Sequence, residues 1–217
     1  MTRNRKVMCL MLAVAASATL PAADATWYDA GTGIWDASAL NWNGGASAWT
    51  AGDTAVFSGT GGVVTVEGAV DAGALTFNAS NYVVNAATGA SITNSSSGTL
   101  NVTVAAGQTA TLNAPLRTDG APFYKYGDGT LILGGVNQFS RTKESRLKKG
   151  ILRLTPDNAK SLGTKDFIIE SGATLDLNGC CAGASTALPW LHPNGTGVNG
   201  MGALVNTGKD HTQGLRI

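Results

Sequence analysis

Two groups of side chains in the sequence have the composition of a binding surface, and the first is a set of tryptophans. They follow one another at spacings of 8, 7 and 7 residues: Trp27, Trp35, Trp42 and Trp49. Exposed indole rings stack on sugar rings and carry a polar N–H group, so the set is a candidate glycan contact. The alternative is a buried cluster at the end of the domain. The buried cluster is favoured because the end of a repeat protein must be covered.

The second group is a run of positive charge between residues 141 and 153. Its members lie one to four positions apart: Arg141, Lys143, Arg146, Lys148, Lys149 and Arg153. Such a run could contact a polyanion, for example an anionic surface glycan or lipopolysaccharide. Charge runs are more often solvated strand faces, and lysine at a sheet edge discourages the addition of a foreign strand. The solvated face is the favoured interpretation, and polyanion contact remains the alternative.

Metal binding has no supporting motif. Cys180 and Cys181 are adjacent, and His192 and His211 follow after gaps of 10 and 18 residues. Zinc sites more often use a C-x₂₋₄-C spacing. The sequence therefore predicts no metal site, and nothing in it indicates a cofactor.

Acid–base catalysis also lacks a motif. Glycoside hydrolysis needs two carboxyl groups facing each other across a cleft. The carboxylates available for such a pair lie in the second half of the chain: Asp128, Asp157, Asp166, Glu170 and Asp176. Nothing in their spacing brings two of them together, so we predict no catalytic residue.

The first 25 residues have the order of a secretory signal peptide. Three basic residues and no acid precede an apolar run of 14 residues, Val7–Leu20. This run is short of the about 20 residues needed to cross a bilayer. Ala23-Asp24-Ala25 supplies small residues where a signal peptidase reads them. We expect a helical signal peptide over 1–25, cleavage that leaves Thr26 as the first of 192 mature residues, and an exported chain without a membrane span.

Charge in the mature chain is sparse and uneven. Residues 26–116 hold five acids and no basic residue, whereas residues 117–217 hold 12 basic and 8 acidic residues. The resulting net charge of −1 gives no general reason to expect nucleic acid or an anionic membrane as a partner.

Short apolar segments with period two predict strands throughout the mature chain. They are 55–57, 64–66, 74–77, 100–104, 109–113, 131–133, 151–154 and 175–177. Gly, Asn and Asp separate them, as is typical of turns. No sustained helical period follows the signal peptide, so the mature chain should be almost all β.

The predicted strands recur as a unit in which a glycine precedes a leucine-centred strand. The leucines are 21–31 residues apart: Leu75, Leu100, Leu131, Leu152, Leu175 and Leu204. Repeats of this length indicate a parallel β-helix, or β-solenoid, because one coil cannot bury its apolar side alone. A β-sandwich is the alternative. We expect a tryptophan-rich cap over 26–58 and solenoid repeats over 59–217 that are truncated at the C-terminus.

The run KYGDGTLILGGVNQFS, residues 125–140, resembles the autotransporter-associated β-strand repeat. That repeat has a Lys, a Gly-x-Gly-Thr-Leu strand, a Leu, a Gly, and then an Asn and an aromatic residue. Residues 150–154 and 171–179 fit its continuation. Trp35-Asp36, Asn41-Trp42 and residues 52–57 are similar to the segment that often precedes such repeats in exported bacterial proteins. The resemblance implies a passenger-type parallel β-helix displayed outside the cell, and it implies no catalytic residues.

We therefore expect an exported, non-catalytic β-solenoid at the cell surface or in the extracellular space, with the periplasm and outer membrane as further locations. It would act as a structural or adhesion module, and its partners would be surface polysaccharides or other cell-surface proteins. One alternative is a carbohydrate-binding module that uses the tryptophans. Another is a fragment of a polysaccharide-degrading β-helix enzyme.

Overall fold

The computed structural model describes residues 22–28, 32–95, 98–118, 120–156, 162, 165–180, 189–209 and 217. The predicted signal-peptide helix lies outside these ranges as far as residue 21. No helix in the described ranges is long and apolar enough to cross a membrane. The strands in chain order are β1 Asp24–Thr26, β2 Gly33–Trp35, β3 Thr54–Phe57, β4 Val63–Val66, β5 Ala69–Asp71, β6 Ala74–Phe77, β7 Tyr82–Ala86, β8 Ser91–Thr93, β9 Leu100–Val104, β10 Thr109–Leu112, β11 Leu116–Arg117, β12 Phe123–Tyr126, β13 Thr130–Leu133, β14 Ser145–Leu147, β15 Gly150–Leu154, β16 Phe167–Ile169, β17 Ala173–Asp176, β18 Leu191–Pro193 and β19 Leu204–Val205.

The strands form three parallel sheets that run along the solenoid. Sheet I contains β1, β3, β6, β9, β12, β14, β16 and β18, and sheet II contains β2, β4, β7, β10, β13, β15, β17 and β19. Sheet III contains β5, β8 and β11. Each coil adds one strand to sheet I and one to sheet II, and three of the coils in the described ranges add a strand to sheet III. The predicted β-solenoid is confirmed, since strands of successive coils pair in parallel.

Side chains that face inward stack in ladders from coil to coil. In sheet II, Leu131 pairs with Leu152, which pairs in turn with Leu175 and through it with Leu204. The first three of these leucines have no exposed surface. Burying a leucine side chain fully contributes about 2 kcal/mol, so such a ladder is a main source of stability.

The predicted series of equivalent leucines is wrong for its first two members. Leu75 and Leu100 lie in sheet I, where Leu75 pairs with Val102 and Leu100 pairs with Phe123. The ladder of sheet II continues instead through Ala110 and Tyr82. The prediction failed because strands of both sheets place an inward leucine shortly after a turn glycine. The spacing of these leucines therefore does not show to which sheet a strand belongs.

The N-terminal edge of the sheets is covered by the segment 41–43. The amide of Tyr28 donates to the carbonyl of Asn41 (2.8 Å), and the amide of Asn43 donates to the carbonyl of Thr26 (2.7 Å). The side-chain amide of Asn41 donates to the carbonyl of Ile34 (2.8 Å), on the outer edge of β2. An uncovered strand edge is a template for aggregation. Segment 41–43 therefore lies across the N-terminal edge, and the segment 26–58 also contains β2 of sheet II and β3 of sheet I.

Close stacking of coils requires glycine at Gly127. Its φ is +76°, and a Cβ there would collide with the carbonyl oxygen of Val104 in the preceding coil. Gly107 has a similar φ of +74° but has nothing within 4 Å of a Cβ position. The two glycines therefore separate the cost of the backbone conformation from the cost of crowding.

We predict that Gly107→Ala lowers the free energy of unfolding by about 1 kcal/mol, the cost of a left-handed alanine. Gly127→Ala should cost about a further 1–3 kcal/mol because the coil must shift to admit the methyl group. Chemical denaturation of both variants, followed by tryptophan fluorescence, measures the difference. Equal losses in the two variants would show that the coils are not packed tightly at Gly127.

Candidate functional site: a buried lysine beside an ion-paired face

The four tryptophans form a buried cluster inside the cap. Trp35 and Trp42 have no exposed surface, and Trp27 and Trp49 are 3% and 7% exposed. The centroids of neighbouring indoles are 4.7–5.2 Å apart, and Phe57 extends the cluster into the solenoid. Because the rings cover one another, a sugar has no access to their faces. The buried cluster, which the sequence analysis favoured over a glycan contact at these four residues, describes this arrangement.

The indole N–H groups of the four tryptophans differ in their hydrogen bonding. The indole N–H of Trp49 donates to the carbonyl of Asp71 (2.9 Å). The indole N–H groups of Trp27, Trp35 and Trp42 are buried and have no hydrogen-bond acceptor within the part of the chain that the structure describes. Several of the rings meet edge to face, with interplanar angles of 67–84°, which turns ring edges toward neighbouring π systems.

Three of the six predicted polyanion contacts are bound to carboxylates. Arg146 bridges two of them, with Nη1 2.9 Å from Glu170 and Nη2 2.8 Å from Glu144. Lys148 Nζ lies 3.1 Å from the same oxygen of Glu170. Arg153 Nε lies 2.7 Å from Asp176, but Arg153 projects from sheet II whereas Arg146 belongs to sheet I. The six basic residues therefore do not form one surface.

The other three basic residues are exposed, and no carboxylate in the described ranges pairs with them. Arg141 and Lys143 lie in the turn before β14, and Lys149 lies in the turn after it. Charges that remain unpaired at the two ends of one short strand are available to an external anion. The polyanion hypothesis is thus narrowed to these three residues.

Two tyrosines lie beside the ion-paired residues Arg146 and Lys148 on the outer surface of sheet I. Tyr124 pairs in register with Arg146, and its ring centroid is 6.4 Å from that of Tyr126. Lys148 Nζ lies 5.5 Å from the Tyr124 centroid, within the range of a cation–π contact. We call Tyr124, Tyr126, Arg146 and Lys148 the tyrosine face. Sequence reasoning missed it, although both tyrosines alternate with the inward residues Phe123 and Lys125.

Lys125 is the unexpected member of the core. It takes an inward position in sheet I between Val102 and Leu147 and has no exposed surface. Its Nζ donates to three backbone carbonyls, those of Gly127 (2.6 Å), Gly129 (2.6 Å) and Lys149 (2.9 Å). An ammonium group has three donors, so these acceptors use all of them.

The carbonyls around Lys125 belong to two coils. Gly127 and Gly129 lie in the turn after β12, and Lys149 lies in the turn of the next coil. Burial lowers the pKa of Lys125 to about 7, and the negative charge of Asp128 acts in the opposite direction. Because its acceptors lie in two coils, the Lys125 side chain links one coil to the next. This contact gives a physical reason for a Lys followed by Gly-x-Gly in the motif at residues 125–129.

Three of the five candidate catalytic carboxylates are engaged in structural contacts: Asp166, Glu170 and Asp176. Hydrogen bonds from Lys148 and Arg146 lower the pKa of Glu170. Burial alone would raise the pKa of Asp176, but hydrogen bonds from Thr207, Arg153 and Asn178 outweigh it and leave the pKa low. Lys165 chiefly lowers the pKa of Asp166. Asp128 lies in the turn beside Lys125, and Asp157 lies outside the described residues.

Two of the four residues considered for metal binding lie in the described ranges. Cys180 is buried, and His192 is exposed with its Nε2 3.7 Å from Asp166. Cys181 and His211 lie outside the described residues. Among the residues that the structure does describe, no three His, Cys, Asp or Glu side chains are grouped so that they could hold a metal ion.

Comparison of the chain with family models, with curated proteins and with solved structures finds no match. The resemblance to the autotransporter-associated repeat therefore rests on the motif residues alone.

We predict that the stability contributed by Lys125 depends on pH. The pKa of the unfolded lysine is about 10.5, so between about pH 7 and 10 the unfolded chain binds a proton that the folded chain lacks. The free energy of unfolding of the wild type, relative to Lys125→Met, should therefore rise with pH across this window. The slope should approach at most about 1.4 kcal/mol per pH unit.

Denaturant unfolding of both proteins from pH 6 to 10 measures this difference, and the titration of all other groups cancels in it. Met retains the length of the side chain but leaves three carbonyls without a donor, so it should be the less stable protein at every pH. A difference that stays constant with pH would show that the carbonyls keep the ammonium group charged throughout.

Proposed function

We propose that this chain is an exported, non-catalytic β-solenoid that serves as a structural or adhesion module at the cell surface or in the extracellular space. The observation that carries the proposal is that charged side chains make structural contacts between successive coils. Lys125, Arg146 and Arg153 each contact the following coil. The signal-peptide pattern of residues 1–25 supports export, and the motif at residues 125–140 supports surface display.

The state of the carboxylates argues against the alternative of a polysaccharide-degrading fragment. A general acid in glycoside cleavage needs a raised pKa. Asp166, Glu170 and Asp176 have lowered pKa values, and Glu170 shares a guanidinium with Glu144. Lys125, whose pKa falls near neutrality, is closed to solvent and substrate.

A second candidate function is contact with an acidic polysaccharide through the tyrosine face. Tyr124 and Tyr126 are partly exposed, and the unpaired cations Arg141, Lys143 and Lys149 lie at either end of the adjacent strand. Tyrosine rings present an apolar face and a hydroxyl group, and cations attract carboxylate or sulfate groups. This arrangement replaces the buried tryptophans as the surface that a glycan would meet.

Export is tested by disrupting the apolar run of the signal peptide. Expressed in a Gram-negative host, the full chain should leave the cytoplasm in shortened form. The variant Leu12→Arg should remain in the cytoplasm at full length, because a charge interrupts the apolar region, whereas Leu12→Ile should behave as the wild type. Fractionation with intact-mass measurement reads the result. Equal export of Leu12→Arg and Leu12→Ile would contradict a role for residues 1–25.

Polyanion contact is tested on an immobilised polygalacturonate column. The triple variant Arg141→Glu, Lys143→Glu, Lys149→Glu should elute at lower salt than the wild type, because three unpaired cations become anions. Lys209→Glu, an exposed charge reversal outside β12–β14, should leave the elution unchanged.

The tyrosine rings are tested separately from the charge. Tyr124→Ala should weaken retention at constant net charge, and Tyr124→Phe should preserve it if ring stacking contributes. Retention that is unchanged in Tyr124→Ala but falls in Lys209→Glu would follow net charge alone and would remove the tyrosine face from consideration.

A further inference from the structure

The first strand of the solenoid extends upstream of the predicted signal-peptidase site. In β1, Asp24 pairs with Thr54 and Ala25 pairs with Ala55. The carbonyl of Ala23 accepts a hydrogen bond from the amide of Thr54 (2.8 Å). The amide of Ala23 donates to Oδ1 of Asp53 (2.9 Å). Residues 23–25 are therefore integral to sheet I.

The same residues close one end of the core. Ala25 is 4% exposed and stands first in the inward ladder that continues through Ala55, Leu75 and Val102. Cleavage after Ala25 would remove the residues that cover Ala55 and would leave Thr54 without its β1 partner.

A second small-residue site occurs upstream in the sequence. Ala16-Ser17-Ala18 has alanine at the two positions that signal peptidase reads, as Ala23-Asp24-Ala25 does. Cleavage after Ala18 would follow an apolar region of nine residues, Val7–Ala15, which is within the 7–15 residues typical of signal peptides. The mature chain would then begin at Thr19 and keep β1 complete.

We propose that signal peptidase cleaves this chain upstream of Ala23, at the bond between Ala18 and Thr19. The inference rests on the proposed export and adds its processing site. Peptidase acts on the extended precursor, so the fold does not protect the downstream site. The requirement is that the mature chain retain the residues that close sheet I.

The first experiment locates the mature N-terminus. The full chain with a C-terminal tag is expressed in a Gram-negative host, purified from the exported fraction, and analysed by N-terminal sequencing and intact mass. A first residue from Thr19 to Ala23 leaves β1 whole and supports the inference, with Thr19 the expected result. A first residue at position 24 or later, Thr26 in particular, overturns it.

The second experiment does not depend on export. Chains that begin at Thr19 and at Thr26 are produced in the cytoplasm and unfolded with urea. The chain from Thr19 should unfold at the higher urea concentration, because it contains the whole of β1 whereas the chain from Thr26 keeps only its last residue. A third chain that begins at Ala23 also contains the whole of β1 and should match the chain from Thr19. Equal midpoints for the Thr19 and Thr26 chains would overturn the structural basis of the inference. Failure of export would instead appear as full-length protein that remains inside the cell, and it would count against the proposed function alone.

Discussion

A single coil of this protein cannot bury its own apolar side, and most features of the structure follow from that constraint. A coil contributes one short strand to sheet I and one to sheet II, and each strand finds its hydrogen-bond partners about 4.8 Å away in the neighbouring coils. Inward leucines, valines and phenylalanines then become ladders. Within the part of the chain that the structure describes, no coil precedes β1 and β2, and the segment 41–43 and the tryptophan cluster cover this end. Glycine is required where two coils approach closely, as at Gly127.

Charged residues serve the same stacking. Arg146 reaches Glu170 and Arg153 reaches Asp176, each across one step of the solenoid. Exposed ion pairs contribute little to stability, but Asp176 is 1% exposed and is also held by Thr207, so this pair fixes the relative position of coils. Lys125 acts in the same way from within the core. These three charged contacts between coils lie in the second half of the chain, where all the Lys and Arg residues after residue 25 are found.

The sequence predicted the fold class well because its strands have strong local signals. Residues 100–104 alternate between apolar and polar residues and residues 131–133 are all aliphatic, and both segments form strands with the expected inward leucines. Strands such as β14 and β16 were missed because they have three residues each and carry Arg146 or Ile168 on their outer face. The tryptophans were recognised as a group, but their burial depends on contacts with Phe57 and on the loop around Trp42. Lys125 was seen only as a motif residue, since a lysine normally indicates a surface and its three acceptors are separated from it by up to 24 positions.

The cap has a further consequence for the order in which the chain becomes structured. Its aromatic cluster closes through Phe57, Phe77 and Tyr82, and the indole N–H of Trp49 donates to the carbonyl of Asp71 in β5, so these contacts all lie between residues 27 and 82. A polypeptide that emerges N-terminus first can therefore fold its capped N-terminal coils while the remainder is still unstructured. Each later coil then finds a finished surface to lie on, and the growing end moves toward the C-terminus one coil at a time.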